Sequence, residues 1–176
     1  MYSALLVIIY LAFISLGLPD TLLGSAWPQM HIELNASLSS AGIITMIISM
    51  GTVISSLFSD RLNIKLGTGK VTAISVLMTA VALLGFSLSH SFIILCVLAV
   101  PYGLGAGAVD AALNNYVALH YSSKHMSWLH CFWGVGASIG PYIIGTCMAY
   151  GLGWRGGYSV ISVLQFTLTA ALFITL

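Results

Sequence analysis

Two aspartates deep inside apolar stretches are the residues of this chain best suited to chemistry. Asp110 is the single formal charge within the apolar run Phe92–Leu119, and Asp20 is the first formal charge of the chain, inside its first apolar stretch. A carboxylate at the centre of a bilayer costs roughly 2.5–3.5 kcal/mol on insertion scales, so it faces protein or a water-filled cavity and not lipid. The pair therefore indicates a polar pathway through a membrane, which is typical of a transporter.

The composition requires a membrane environment. Hydrophobic residues make up 59% of the chain and charged residues 5%, whereas soluble domains carry about 25% charged residues. A net charge of +1 predicts neither a nucleic-acid partner nor an acidic one. The three cysteines lack CxxC spacing and are interpreted as small buried hydrophobes; they are Cys96, Cys131 and Cys147.

Six apolar segments, each close to the ~20 residues that a helix needs to cross a bilayer, follow one another along the chain. Only helices and closed barrels satisfy their backbone hydrogen bonds within lipid, and these runs are too uniformly apolar for barrel strands. We predict an all-α polytopic membrane protein, a single six-helix bundle over residues 1–176. Segments 1 to 6 are Tyr2–Ala26, Leu38–Phe58, Val71–Leu88, Phe92–Leu119, Ser127–Tyr150 and Gly157–Leu176.

The basic residues predict the orientation of the bundle. Arg61, Lys65 and Lys70 lie between segments 2 and 3, and Lys124 lies between segments 4 and 5, whereas the opposite connections carry only Arg155. Lysine and arginine favour the cytoplasmic side of a membrane. We therefore expect both termini in the cytoplasm and the protein in the plasma membrane.

An internal repeat is the next pattern. If segments 1–3 and 4–6 are two inverted three-helix repeats, segments 1 and 4 are equivalent, and these two carry the buried aspartates. Both are interrupted by proline or small residues, within 17–20 and 103–107. Interrupted, polar helices at matching repeat positions indicate a transporter binding site, although glycine and proline are common in membrane helices in any case.

Segment 4 carries the most specific spacing. Gly103, Gly107 and Ala111 recur every four residues, which predicts a stripe for close helix packing. Asp110 and Asn114 are also four apart, so they share a helix face.

The connection after segment 2 contains Asp60-Arg61 followed by Lys65, Gly67, Gly69 and Lys70. This pattern resembles the loop between helices 2 and 3 of the major facilitator superfamily, although Ser56 stands where that family usually has glycine. The resemblance implies that Asp60 and Arg61 form a cytoplasmic gate, in which Asp60 caps the next helix or pairs with a basic group. The alternative is that the basic residues only set the orientation.

The run from Asp110 to Asn115 resembles helix 4 of the fucose-permease-type sugar:proton symporters, whose helix 1 also carries an aspartate. The resemblance implies that Asp110 and Asp20 bind the coupling proton. Asn114 and Asn115 would then bind substrate, with His130 donating a hydrogen bond and Trp133 stacking on a sugar ring. The alternative for Asp110, Asp20 and His130 is a hydrogen bond that only ties helices together. Aspartate replaces the family's glutamate and Asn115 replaces its proline, so the substrate is not carried over.

The resemblance covers the whole chain but only one half of the usual fold. It implies an N-terminal half whose partners are a small-molecule substrate, protons, the bilayer and a second six-helix half, from the same gene product, a separate chain or a homodimer. No cofactor is implied, and no enzymatic step. His120, His125 and His130 are five apart, which argues against a metal site. The alternatives are a proton-driven exporter of drugs or metabolites, or a truncated remnant or accessory subunit without transport activity. Residues 134–141 of segment 5 resemble the glycine–proline motif of antiporters, but this motif also occurs in related symporters and does not decide the direction of transport.

Overall fold

Every regular element is helical in the computed structural model, which describes residues 2–175 and side chains from Leu5 onward. Six helical stretches within those residues are long and apolar enough to cross a membrane, and α1 and α2 together form the first of them. The predicted all-α, six-span class is thereby confirmed; the predicted end of segment 6, Leu176, lies outside the described residues. The elements are α1 (Tyr2–Asp20), α2 (Leu22–Glu33), a 3-10 turn (Leu38–Ser40), α3 (Ala41–Leu66), α4 (Thr68–Leu88), α5 (Phe92–His120), α6 (Ser123–Ala149) and α7 (Gly153–Thr175).

The helices extend beyond the apolar segments, and this corrects the predicted connection after segment 2. That segment was predicted to end at Phe58, but α3 continues to Leu66. No proline or glycine interrupts the polar residues after Phe58, so the helix continues until Gly67, whose φ of 83° ends it. Asp60 and Arg61 therefore lie in the last turns of a helix and not in a loop.

The same effect lengthens three other spans. The first span continues through α2 to Glu33, α6 begins at Ser123, and α7 begins at Gly153. Hydropathy marks where residues stop being apolar, whereas a helix ends where its backbone hydrogen bonds end. The predicted bounds were therefore too short at the polar ends.

Glycines allow α1 and α6 to approach through their backbones. A methyl group added at Gly17 would overlap the Trp133 carbonyl oxygen, and one added at Gly136 would overlap the carbonyl oxygen of Ile14. A methyl group added at Gly134 would meet no atom within 4 Å. Gly134 therefore takes no part in this contact.

The pair formed by α3 and α5 packs in the same manner. Methyl groups added at Gly103 and Gly107 would overlap the carbonyl oxygens of Ile48 and Thr52, so the predicted small-residue stripe does allow close packing. Under the predicted inverted repeat, α1 with α6 and α5 with α3 are equivalent pairs. The glycine-mediated contact recurs in both, as that symmetry requires.

Two prolines free backbone carbonyls that side chains of neighbouring helices then satisfy. A proline has no N–H, so it leaves the carbonyl four residues earlier without its helical donor. Pro19 frees Ser15, whose carbonyl accepts a 2.9 Å hydrogen bond from Gln165 of α7. Pro141 frees Ala137, whose carbonyl accepts a 2.9 Å hydrogen bond from Thr21. Each proline therefore ties its helix to another one.

Gln165 joins three helices. Besides binding α1 through its amide nitrogen, it accepts a 2.8 Å hydrogen bond from the Thr79 hydroxyl of α4 through its amide oxygen. Its side chain is 2% exposed. Buried polar groups that are fully hydrogen-bonded fix helix register, so α1, α4 and α7 are held in one arrangement.

The two ends of the bundle differ. At one end, Tyr10 of α1 bonds His125 of α6 at 2.8 Å, and a small cavity brings together Leu5, Gly69 and Leu172. The four Lys/Arg residues of the predicted connections also lie at this end, which is called here the basic end. At the other end, called here the outer end, Glu33 meets Arg155 at 3.7 Å.

Candidate functional site

A cavity of about 430 Å³ opens between α1, α3, α5 and α6. Asp20 and Asp110 are the charged residues of its lining, and α3 adds hydroxyl groups from Thr45, Ser49 and Thr52. The remaining lining is Leu16, Ile48, Ala106 and Trp133. This central cavity combines two carboxylates with hydrogen-bonding groups inside a largely apolar bundle, which is the composition of a small-molecule site.

Asp20 is the last residue of α1 and lies where the first span is interrupted before α2. Its two carboxylate oxygens accept hydrogen bonds from the Tyr102 hydroxyl at 3.3 Å and the Trp133 indole N–H at 2.9 Å. The side chain is nevertheless open towards the cavity. The hydrogen bonds orient the carboxylate without closing it off.

Asp110 is held by its own helix. The Asn114 amide nitrogen donates to the Asp110 carboxylate at 3.0 Å and to its backbone carbonyl at 3.0 Å, as the spacing of four predicts. His130 of α6 interacts electrostatically with Asp110, and Asp110 interacts with Asp20. The carboxylates from the two repeats therefore influence each other across one cavity.

Each carboxylate lies three residues after a glycine at which two helices cross. Gly17 lies three residues before Asp20, and Gly107 lies three residues before Asp110. Gly17 contacts the backbone of α6, and Gly107 contacts the backbone of α3. Side chains three apart lie on neighbouring parts of a helix surface. The crossing point therefore places each acid beside the cavity.

The site contains groups that the sequence analysis did not identify. Tyr102 lies eight residues before Asp110, two helical turns away on a similar face. Thr45, Ser49 and Thr52 follow the i, i+4, i+7 spacing of one helix face. A search for helically spaced hydroxyls in segment 2 would have found these three.

Some predicted residues lie elsewhere. The Asn115 side chain is exposed and forms no hydrogen bond within the described residues, because it points away from the face shared by Asp110 and Asn114. Asp60 does not cap α4, whose N-cap residue is Gly67 without a side-chain hydrogen bond. In the described part of the chain, Asp60 has no ion-pair partner either, since the one ion pair there joins Arg155 to Glu33. Neither Asp60 nor Arg61 lines the central cavity.

Comparison with known proteins adds independent information. Residues 9–176 match the family model described as Major Facilitator Superfamily. The chain is 25% identical over 116 residues, 64% of its own length, to the Sinorhizobium fredii protein named Uncharacterized transporter y4wD, of which the match covers 31%. It is 25% identical over 161 residues, 87% of its length, to Synaptic vesicle glycoprotein 2B of Rattus norvegicus, of which 22% is covered. The chain therefore spans about a third or less of these relatives.

Proposed function

The chain belongs to the Major Facilitator Superfamily, and we propose that it forms one six-helix half of a proton-driven transporter for a small solute of the sugar class. The observation that carries this proposal is the position of Asp20 and Asp110 on one cavity. Both acids reach that cavity from equivalent helices of the two repeats. Binding sites of secondary transporters lie at such repeat interfaces.

The chemistry of the central cavity suits proton coupling. A carboxylate in a poorly solvated site can be neutralised by one proton, and this changes the charge of the cavity by one unit. Asp110 has one side-chain donor, Asn114, and the nearby His130. We assign the coupling proton to Asp110, with Asp20 as the second acid.

The solute is expected to bind between the acids and the hydroxyl groups of α3. Thr45, Ser49 and Thr52 offer both donors and acceptors, and Trp133 is 39% exposed, so its ring remains available for contact with a sugar. The cavity lining includes no lysine or arginine. This lining disfavours an anionic solute.

A second six-helix half would complete the site. The central cavity is open on one side, and α3 exposes large apolar side chains such as Met46, Met50 and Leu57. Such groups suit either lipid or a partner helix. The half could belong to the same gene product, to a separate chain or to a homodimer, and the basic end would face the cytoplasm of a plasma membrane.

Transport in proteoliposomes tests the proposal. The intact protein is reconstituted, the external buffer is made acidic, and uptake of a panel of labelled sugars is followed with and without a protonophore. We expect uptake of at least one sugar above its equilibrium level, and collapse of that gradient when the protonophore is added. Uptake that ignores the pH gradient would contradict proton coupling, and no uptake of any sugar in the panel, amino sugars included, would contradict the sugar class.

A further inference from the structure

A second cavity, called here the outer cavity, lies on the other side of Asp20. It has a volume of about 180 Å³ and shares Asp20, Thr45 and Ile48 with the central cavity. We propose that the outer cavity binds an ammonium group of the solute against Asp20. This inference rests on the proposed transport function and narrows the solute from sugars in general to amino sugars.

The charge of the outer cavity favours a cation. Asp20 is the charged residue of its lining, which contains no lysine, arginine or histidine. A cation in this cavity would face one carboxylate without a competing positive charge. Because Asp20 also borders the central cavity, an ammonium group in the outer cavity leaves the rest of the solute beside Ser49 and Thr52.

The walls of the outer cavity are aromatic. Phe86, Tyr102 and Tyr158 all line it, and the Phe86 ring centroid lies 6.3 Å from that of Tyr102 and 5.6 Å from that of Tyr158. Aromatic rings attract ammonium groups through their electron-rich faces, and this attraction is strongest when the cation has lost its water. A carboxylate that shares a cavity with three rings is an arrangement that suits an ammonium ion.

An unpartnered hydroxyl group independently indicates a ligand. Tyr158 is 1% exposed, and its hydroxyl oxygen has no hydrogen-bond partner within the described residues although the side chain lines the outer cavity. Leaving a buried hydroxyl unsatisfied is costly. The Tyr158 hydroxyl is closed off from water in this structure, so a small turn of the ring on binding would let an N–H group of a primary ammonium supply the missing partner. The Tyr102 hydroxyl already donates to Asp20.

A metal ion fits the outer cavity less well. Hard cations such as Ca²⁺ take six to eight oxygen ligands. The oxygen-bearing side chains in this lining belong to Asp20, Thr45, Tyr102 and Tyr158, and three of the four are neutral hydroxyl groups. The aromatic walls would exclude the waters needed to complete such a shell.

Binding of small ammonium ions tests this inference without knowledge of the natural solute. The intact purified protein is titrated with methylammonium, tetramethylammonium and choline, and with 3,3-dimethyl-1-butanol, the neutral isostere of choline. Binding is followed by the shift in thermal unfolding temperature. We expect the three cations to stabilise the protein and the neutral isostere to have no effect.

Two variants assign the binding to individual groups, and two further variants are controls. Asp20→Asn should lower the affinity for all three cations by roughly tenfold or more, because it removes the carboxylate charge that pairs with them. Tyr158→Phe should weaken methylammonium and leave tetramethylammonium unchanged, since only methylammonium has N–H groups for the hydroxyl oxygen. Tyr142→Phe, at an exposed tyrosine, and Glu33→Gln, an acid outside both cavities, should bind all three as the wild type does.

Several results would overturn the inference. Equal binding of choline and its neutral isostere would show a merely apolar cavity, and unchanged binding by Asp20→Asn would place the cations elsewhere. Absence of binding by all three cations would show that the cavity holds water or nothing. If uptake of neutral sugars is still driven by protons in that case, the ammonium inference fails while the transport proposal stands.

Discussion

Trp133 contacts both Asp20 and the glycine one turn before it. Its indole N–H donates to the Asp20 carboxylate at 2.9 Å, and its backbone carbonyl faces Gly17 across the crossing of α1 and α6. The helix contact and the orientation of the acid therefore depend on one residue. Any widening of this crossing would move the indole away from the carboxylate.

The Gly17 contact gives the first prediction. Gly17→Ala should lower the free energy of unfolding by about 1–3 kcal/mol, because overpacking at a backbone contact forces the helices apart. Gly134→Ala is the matched control, since a methyl group there meets no atom within 4 Å. Thermal unfolding of the detergent-purified variants measures both. Equal stability of the two variants would mean that α1 and α6 are not in close contact.

The second prediction concerns coupling through Asp110. Asparagine is nearly isosteric with aspartate but does not take up a proton, and it can still accept the hydrogen bond from Asn114. In the complete transporter, Asp110→Asn should abolish accumulation driven by a pH gradient and retain some equilibrium exchange of solute. Proteoliposomes with and without the gradient distinguish the two modes. Accumulation by this variant with acid outside would show that the carboxylate is only structural.

Asp60→Asn should have a different effect on the same assays. Asp60 is exposed in the last turns of α3 and does not line the central cavity. If it acts as a cytoplasmic gate, its loss should slow accumulation and exchange by a similar factor. A selective loss of accumulation would place Asp60 in the coupling step instead.

Orientation is the third prediction. In a chain whose three cysteines are replaced by alanine, a cysteine at His90 should react with a membrane-impermeant thiol reagent added outside intact cells. One at Ser123 should react only after the membrane is permeabilised, because it lies at the basic end. Both positions are exposed at helix termini, so reactivity reports sidedness and not burial. The reverse pattern would invert the assignment of both ends.

The fourth prediction concerns the outer end, where Arg155 has three neighbours. It donates to the Ser89 carbonyl at 2.7 Å, lies 4.2 Å from the Trp154 ring centroid and pairs with Glu33. Glu33→Gln should lower the free energy of unfolding by less than about 1 kcal/mol, because half-exposed ion pairs contribute little to stability. Glutamine also still accepts the hydrogen bond from the Trp154 indole N–H. Arg155→Lys should lower the free energy of unfolding by more than Glu33→Gln does, since lysine lacks the planar guanidinium group that stacks on a ring and donates at two points. Thermal unfolding of both variants tests this order.

The sequence was sufficient to predict the structural features that depend on the spacing of residues within one helix and on the free-energy cost of burying a charge. The six apolar segments were enough to predict the spans, and the spacing of four was enough to predict that Asp110 and Asn114 share a helix face. The equivalence of Asp20 and Asp110 followed from the repeat. These features depend on one helix at a time or on the order of helices.

Features that join distant helices could not be predicted from a single sequence. Tyr102 meets Asp20 across 82 positions of the chain, and nothing in the spacing around Tyr102 indicates that contact. Asn115 differs from Asn114 in its direction, because neighbouring residues on a helix point about 100° apart and only Asn114 shares the face of Asp110. The end of α3 was placed too early because a polar run does not stop a helix.

The three-way contact of Gln165 also has a consequence for the order in which the chain is made. Ser15 and Thr79 lie in helices synthesised early, whereas Gln165 lies in α7, the last of the described helices. Membrane chains are made from the N-terminus, so the Ser15 carbonyl freed by Pro19 acquires this partner only when α7 arrives. A nascent chain that stops short of α7 would carry all the central-cavity residues and lack the amide that fixes α1 against α4.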